Sequence, residues 1–203
     1  MYQEHATAIQ SDCFDSPEAF RDVLIFVLAT IQEPIERLPD AMASIRNDGA
    51  SARELWGMKR QGYADIQRCY RKLWTHLQCA NIRKAPMWRE RCIVDIVDSI
   101  HGIGTAKAGF VLQLTVGAVG CLDTHNLARF GLDKKSYSIG PAIKKMQTKV
   151  RKAHAYVTAC DRLGGCEYLW DNWCEYVASL RPDAFPNGAH DVSALHACAV
   201  NPF

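Results

Sequence analysis

No apolar run in this sequence reaches the ~18–20 residues that a helix needs to cross a bilayer. The longest, Val23–Thr30, is short and follows Asp22 directly. The opening MYQEHATAIQSD has no basic stretch leading into an apolar one, so no secretory signal is read there and a cytoplasmic location is the default expectation. No two cysteines stand in the C-x-x-C spacing of zinc or cluster sites. The nine cysteines, an odd number without a secretory signal, do not form a disulfide framework. Cys160, Cys166 and Cys174 come nearest to a cluster, and they read as small buried hydrophobes on helices. Strand signals are scarce as well, because the β-branched runs are short and none alternates cleanly between turns. No internal repeat and no low-complexity tract is present.

What remains is a chain of amphipathic helices joined by short polar loops. With 203 residues, 48% hydrophobic and 23% charged, it fits one domain, or one domain of two helical lobes sharing a cleft. Ser16 as N-cap and Pro17 at the first helical position begin a helix over 16–32 that is apolar almost all round, a central buried element. Pro34 ends or bends it. The pattern then predicts helices over 38–45, 51–60 and 64–77, with Gly62 separating the last two. Ile66, Cys69, Tyr70 and Leu73 form an apolar stripe on 64–77. Helices follow at 88–100, with Cys92, Ile93, Ile96, Val97 and Ile100 on one face, and at 105–116. Residues 131–141 read as a loop, 142–160 as a basic helix and 166–180 as an aromatic C-terminal helix.

Charge is unevenly spread. Residues 1–50 hold nine acids and three bases, residues 53–152 hold seven acids and nineteen bases, and residues 153–203 hold six acids and two bases. A basic middle block between acidic flanks is what a phosphate-binding face looks like in sequence. Ordinary solvated helix faces give the same count, so the motif inside the block decides.

That motif is a helix-hairpin-helix spanning 93–116, with IVDSIHGIGTAKAGFVLQL (96–114) as its informative stretch. Gly102 and Gly104 permit positive φ and close backbone approach, and Ile103 between them can plug into the core. The second helix starts at Thr105, so the amides of its first turn lack intrahelical partners. Together with the positive end of the helix dipole they form a site for a phosphate, which grips a nucleic-acid backbone without reading its sequence. Shortly after comes Cys121-Leu122-Asp123-Thr124-His125. Asp123 is placed to cap the helix THNLARF, to supply a carboxylate to a cleft, or to do both.

The ordered pair Ile100-His101-Gly102-Ile103-Gly104 and Leu122-Asp123-Thr124-His125, with Arg129 beyond, resembles the HhH-GPD superfamily of base-excision DNA glycosylases, endonuclease III among them. The resemblance covers residues 16 to about 132. It implies an all-α, two-lobed fold with a central hairpin and a second lobe built from the N- and C-terminal helices, in one domain over 1–203. It implies that double-stranded DNA is held at His101, Gly102, Ile103, Gly104 and Thr105, that a base is flipped out, and that Asp123 stabilises the oxocarbenium character of the sugar or activates water. His125 and Lys107 are further catalytic candidates beside Asp123. Gln32 matches a residue that such enzymes push into the gap left by the flipped base, although a solvent-exposed glutamine explains it equally.

The chain departs from the family in several places. The lyase lysine stands two residues after the second hairpin glycine, where this chain has Ala106. Lys107 lies about 100° further round the helix. This favours a monofunctional N-glycosylase with Lys107 on a phosphate, unless the register shifts by one. His101 replaces the usual proline. The iron–sulfur loop is missing, so no cluster is expected and no cofactor is required, with at most a monovalent cation at the hairpin. The tail HDVSALH brings His190, Asp191, Ser193 and His196 together as a possible constellation that no repair glycosylase accounts for.

That tail keeps a second chemistry open. Some phage enzymes resemble glycosylases but attach an amino acid or amine to activated 5-hydroxymethyluracil in DNA, with pyrophosphate leaving. Asp123 would then deprotonate the amine co-substrate, and the setting would be a bacterial or phage-infected cytoplasm. A non-catalytic DNA-binding module is the third reading. The protein is expected to be a monomer with no membrane partner. Tyr63, Tyr70, Trp74 and Trp88 are aromatic candidates for stacking on a base or for the core. Lys145, Lys149 and Lys152 share a helical face that either lines the duplex or is solvated. If about five phosphates are neutralised, the log of the affinity should fall with the log of salt concentration with a slope of about −4 to −5. A duplex-binding titration between low and physiological salt checks this; a flat response would remove nucleic acid as the partner.

Overall fold

The computed structural model describes residues 2–34 and 37–180, and among them every regular element is helical and no strand forms. The all-α expectation therefore holds for the described chain. No described helix is long and apolar enough to cross a membrane. The tail that carries His190, Asp191, Ser193 and His196 lies outside the described residues.

No helix was read before Ser16, yet α1 occupies Tyr2–Asp15. Its pattern is faint because its described side chains bury only Ile9 and Cys13, four positions apart. α2 (Pro17–Ala29) begins as anticipated, with Ser16 Oγ accepting the Ala19 N–H at 3.1 Å and Pro17 opening the helix. Every residue from Val23 to Ala29 is buried, which makes α2 the central helix. It ends well before Pro34. Thr30 turns its hydroxyl back to the Val27 carbonyl at 2.6 Å, and Gln32 takes a left-handed conformation at φ 54°.

α3 (Leu38–Asp48) runs through Asn47 and stops at Gly49, whose φ of 56° supplies the turn. A short 3-10 turn follows at Gly49–Ser51. The two helices read over 51–60 and 64–77 are in fact one, α4 (Met58–Gln78), and the stretch before Met58 is not α-helical. Gly62 does not break it. A Cβ at this position would clash with the His101 carbonyl oxygen and meet Leu28 Cδ1 at 2.8 Å, so glycine is present for close approach. Ile66 and Leu73 are buried as the stripe predicts, and Cys69 and Tyr70 are half-buried beside them.

After α5 (Ala80–Arg83) come the two hairpin helices, α6 (Trp88–Ser99) and α7 (Thr105–Val116). Cys92, Ile93, Ile96 and Ile100 are buried, and Val94 joins them, while Val97 is half-buried. α8 (Thr124–Arg129) follows a short connection. The expected loop over 131–141 contains α9 (Lys134–Tyr137), because Asp133 caps it by accepting the Lys135 N–H at 3.1 Å. α10 (Met146–Arg162) starts four residues later than read, and α11 (Gly165–Leu180) matches the aromatic segment. One continuous cluster of buried apolar side chains runs from Ile9 to Trp170.

Within this core Asp22 is 3% exposed, with the Arg21 guanidinium 3.0 Å away. Burial pushes its carboxyl up to about 6 against the pull of Arg21. An unfolded aspartate titrates near ~3.9, so the native state binds this proton more tightly. Stability falls as pH rises between those values and stays lower above them. Asp22→Asn should therefore stabilise the protein by on the order of 1–3 kcal/mol at about pH 7.5 and give no gain near pH 3.5. Denaturant melts at the two pH values check this, and an equal effect at both would remove the titration from the account.

Candidate active site

The turn between α6 and α7 is docked on α4 through the backbone of His101. The His101 carbonyl oxygen lies against Gly62, and the His101 N–H donates to Asp65 Oδ2 at 2.9 Å. Gly62 and Asp65 are three residues apart and so share a face of α4. Gln61 Nε2 and the Arg68 guanidinium also donate to Asp65 Oδ1. Burial opposes ionisation of Asp65, yet the His101 amide, Arg68 and Gln61 together hold its carboxyl below the usual range.

The remaining turn follows from this anchor. Gly102 adopts φ 86°, Ile103 plugs the core at 3% exposure, and its N–H bonds the Ile100 carbonyl at 3.3 Å. The amides of Gly102, Gly104, Thr105 and Ala106 have no backbone or side-chain acceptor among the described residues. They sit at the positive end of α7, an anion-binding arrangement. The hydroxyl of Thr105 is occupied, accepting the Ile139 N–H at 3.0 Å. His101 is exposed.

A cavity of about 580 Å³ opens beside the turn, large enough for a nucleoside-sized ligand. Gln32, Gly102, Gly104, Thr105, Lys107, Asp123 and His125 all line it, so one concavity collects residues far apart in the chain. Ile103 and His101 do not line it. Gln32 reaches the rim exposed and in its left-handed conformation. His125 is exposed in the first turn of α8.

Asp123 caps α8. Its Oδ1 accepts the Asn126 N–H at 2.9 Å, and its Oδ2 accepts the Trp173 indole N–H at 3.0 Å. The preceding strand of chain is clamped. Tyr156 Oη accepts the Leu122 N–H at 2.8 Å and donates to the Gly120 carbonyl at 2.9 Å, while Asn126 Nδ2 donates to the Cys121 carbonyl at 2.8 Å. Complete burial drives the Tyr156 phenol well above its usual range, so it stays a neutral donor. Asp123 is half-buried at the cavity wall, not lost inside the core.

Lys107 does not point outward to a phosphate face. Its Nζ donates to Thr30 Oγ1 at 2.7 Å and lies 5.6 Å from the Phe110 ring centre, inside the cavity. Burial lowers its pKa despite the nearby Cys121 and Asp123. A second lysine, Lys59, is 1% exposed and donates to the Ala29 carbonyl at 3.0 Å, with Glu33 Oε2 at 3.7 Å. Burial also lowers its pKa, against the attraction of Glu33. Two ammonium groups thus meet the carbonyl end of α2, where the helix dipole favours them.

The lysines of the basic helix are arranged differently from expectation. Lys145 precedes α10 and is exposed, so it does not continue the face of Lys149 and Lys152. Lys149 is paired with both oxygens of Asp98 at 2.6 and 2.7 Å, and Lys152 donates to the Lys135 carbonyl. None of the three lines the cavity, whereas Lys134 does. Tyr63, Tyr70, Trp74 and Trp88 pack against the core, and the aromatic residues on the cavity wall are Tyr137 and Tyr156. Trp173, Tyr156, Lys59 and Asp65 carry no sequence signal of their roles, since each acts through a partner distant in the chain. Among the described residues no group of three His, Cys, Asp or Glu side chains is arranged to hold a metal ion.

Searches of family models, of curated proteins and of solved structures find no match to this chain. Tyr156→Phe keeps the ring but leaves the buried Leu122 N–H without an acceptor, and should cost on the order of 1–3 kcal/mol. Thermal melting of the two proteins checks this, and an unchanged midpoint would mean that the clamp on the Asp123 loop contributes nothing.

Proposed function

We propose that this chain is an enzyme acting on a base in double-stranded DNA, with the two-lobed HhH-GPD glycosylase architecture. The observation that carries the reading is that the unpaired amides of the 102–106 turn and the carboxylate of Asp123 open onto one cavity. The amides hold a phosphate of the strand, and the nucleotide beside it turns out of the stack into the cavity. Gln32 at the rim is placed to fill the gap. Asp123, kept from rotating by its two N–H donors, stands at the sugar. As the glycosidic C–N bond lengthens, positive charge grows on the anomeric carbon, and a carboxylate facing it lowers that barrier. Water then completes an N-glycosylase reaction, and the electron pair of the broken bond leaves with the base.

A second reading gains support from Lys107 and Lys134 on the cavity wall. A departing base needs little positive charge around it, whereas a departing pyrophosphate needs a good deal. In the corresponding transfer, an amine nitrogen attacks the exocyclic methylene carbon of an activated 5-hydroxymethyluracil. The C–O bond breaks, pyrophosphate leaves with its electrons, and Asp123 takes the proton of the amine.

Incubation with modified and unmodified duplexes, followed by nucleoside mass spectrometry, separates the two. Excision yields free base and alkali-labile abasic sites, and transfer yields a heavier nucleoside on an intact backbone. Asp123→Asn should abolish turnover in either case while duplex affinity holds. Gly104→Asp should weaken duplex binding roughly tenfold, about 1.4 kcal/mol. A Cβ at Gly104 meets nothing within 4 Å, so this change adds charge without a clash. Full turnover by Asp123→Asn, or unchanged affinity of Gly104→Asp, contradicts the proposal.

A further inference from the structure

The C-terminal helix α11 contributes to the site from outside the motif segment. Three contacts register it there. Gln113 Nε2 on α7 donates to the Cys166 carbonyl at 2.7 Å, the Arg129 guanidinium on α8 donates to the Asn172 carbonyl at 3.0 Å, and the Trp173 indole donates to Asp123 Oδ2 at 3.0 Å. The first two place the helix along its length. The third uses that placement on Asp123, a carboxylate residue that lines the cavity together with Lys107.

Without Trp173, the side chain of Asp123 would be held only through Oδ1, by the N-cap bond to Asn126. A single bond leaves the carboxyl group free to swing about it. The second donor, from another element, removes that freedom. The indole is itself confined, half-buried and packed on Trp170 with ring centres 6.3 Å apart. Trp170 meets Phe110 at 6.0 Å, and Phe110 carries the Lys107 ammonium over its face. One aromatic row thus backs both the carboxylate and the amine of the cavity.

We infer that Trp173 is a positioning residue that fixes the direction of the Asp123 carboxylate, so that α11 is part of the working site. This rests on the reading of Asp123 as the group that faces the everted nucleotide. Both carboxylate oxygens already accept an N–H, one from its own helix and one from α11, so the plane of the group is set by two separate elements.

Two measurements on the full chain test this. In the first, the indole N–H resonance of Trp173 is assigned by its loss in Trp173→Phe. It should be protected from exchange with solvent in the wild type and should shift and lose that protection in Asp123→Ala. An unmoved resonance would show that the bond does not exist in solution and would overturn the inference. In the second, on a duplex that the wild type turns over, Trp173→Phe should lower kcat by on the order of 10-fold to 100-fold. KM and duplex affinity should stay within about twofold, since the change touches neither the hairpin nor the phosphate site. A kcat equal to that of the wild type, or a loss carried by KM, would overturn the positioning role. If the wild type turns over no duplex at all, the functional reading fails, and the bond stands or falls on the indole resonance alone.

Discussion

The site depends on how the backbone of His101 is seated on α4. Its carbonyl oxygen rests against Gly62, where no side chain would fit, and its N–H is taken by Asp65 one turn further along. These two contacts hold the peptide on either side of His101. Ile103 goes into the core, and the amides of Gly104, Thr105 and Ala106 stand unpaired at the start of α7. Unpaired amides at a helix N-terminus present a field that an oxyanion can occupy.

Three helix ends meet around the cavity, and their polarity orders the charged groups. The carbonyl end of α2 attracts Lys59, which donates to the Ala29 carbonyl, and Lys107, which donates to the Thr30 hydroxyl. The amide ends of α7 and α8 face the same space, and Asp123 answers the second of them by capping it. The carboxylate, the amine and the open amides are therefore consequences of helix termination, brought together because α2, α7 and α8 converge. Gln32 shares in this, because the strained turn that carries it begins where α2 is capped by Thr30.

What the sequence discloses here is local, and what it conceals is long-range. Ser16 and Pro17, the two-glycine turn, and Asp123 before a short helix are signals written within a few residues, and each appears in the structure where its chemistry places it. Gly62 is misread because a glycine inside a helical pattern looks the same whether it breaks the helix or admits a neighbour, and the neighbour is His101. Lys107 is misplaced because angular position on a helix does not reveal that the Thr30 hydroxyl waits within reach of its amine. Lys149 reads as either duplex-facing or solvated because Asp98, its partner, stands on another helix. Trp173 gives no hint at all, since an indole on an aromatic helix looks like core until its N–H is traced to Asp123.

The central claim is that the open amides of one turn and the carboxylate of Asp123 serve a single extruded nucleotide. It is tested most directly by following backbone amide resonances while a duplex with one abasic nucleotide is added. The account predicts that Gly102, Gly104, Thr105 and Ala106 shift together with Thr124 and His125, at one common saturation point. Shifts confined to the lysines of α10, with the turn unmoved, would contradict it.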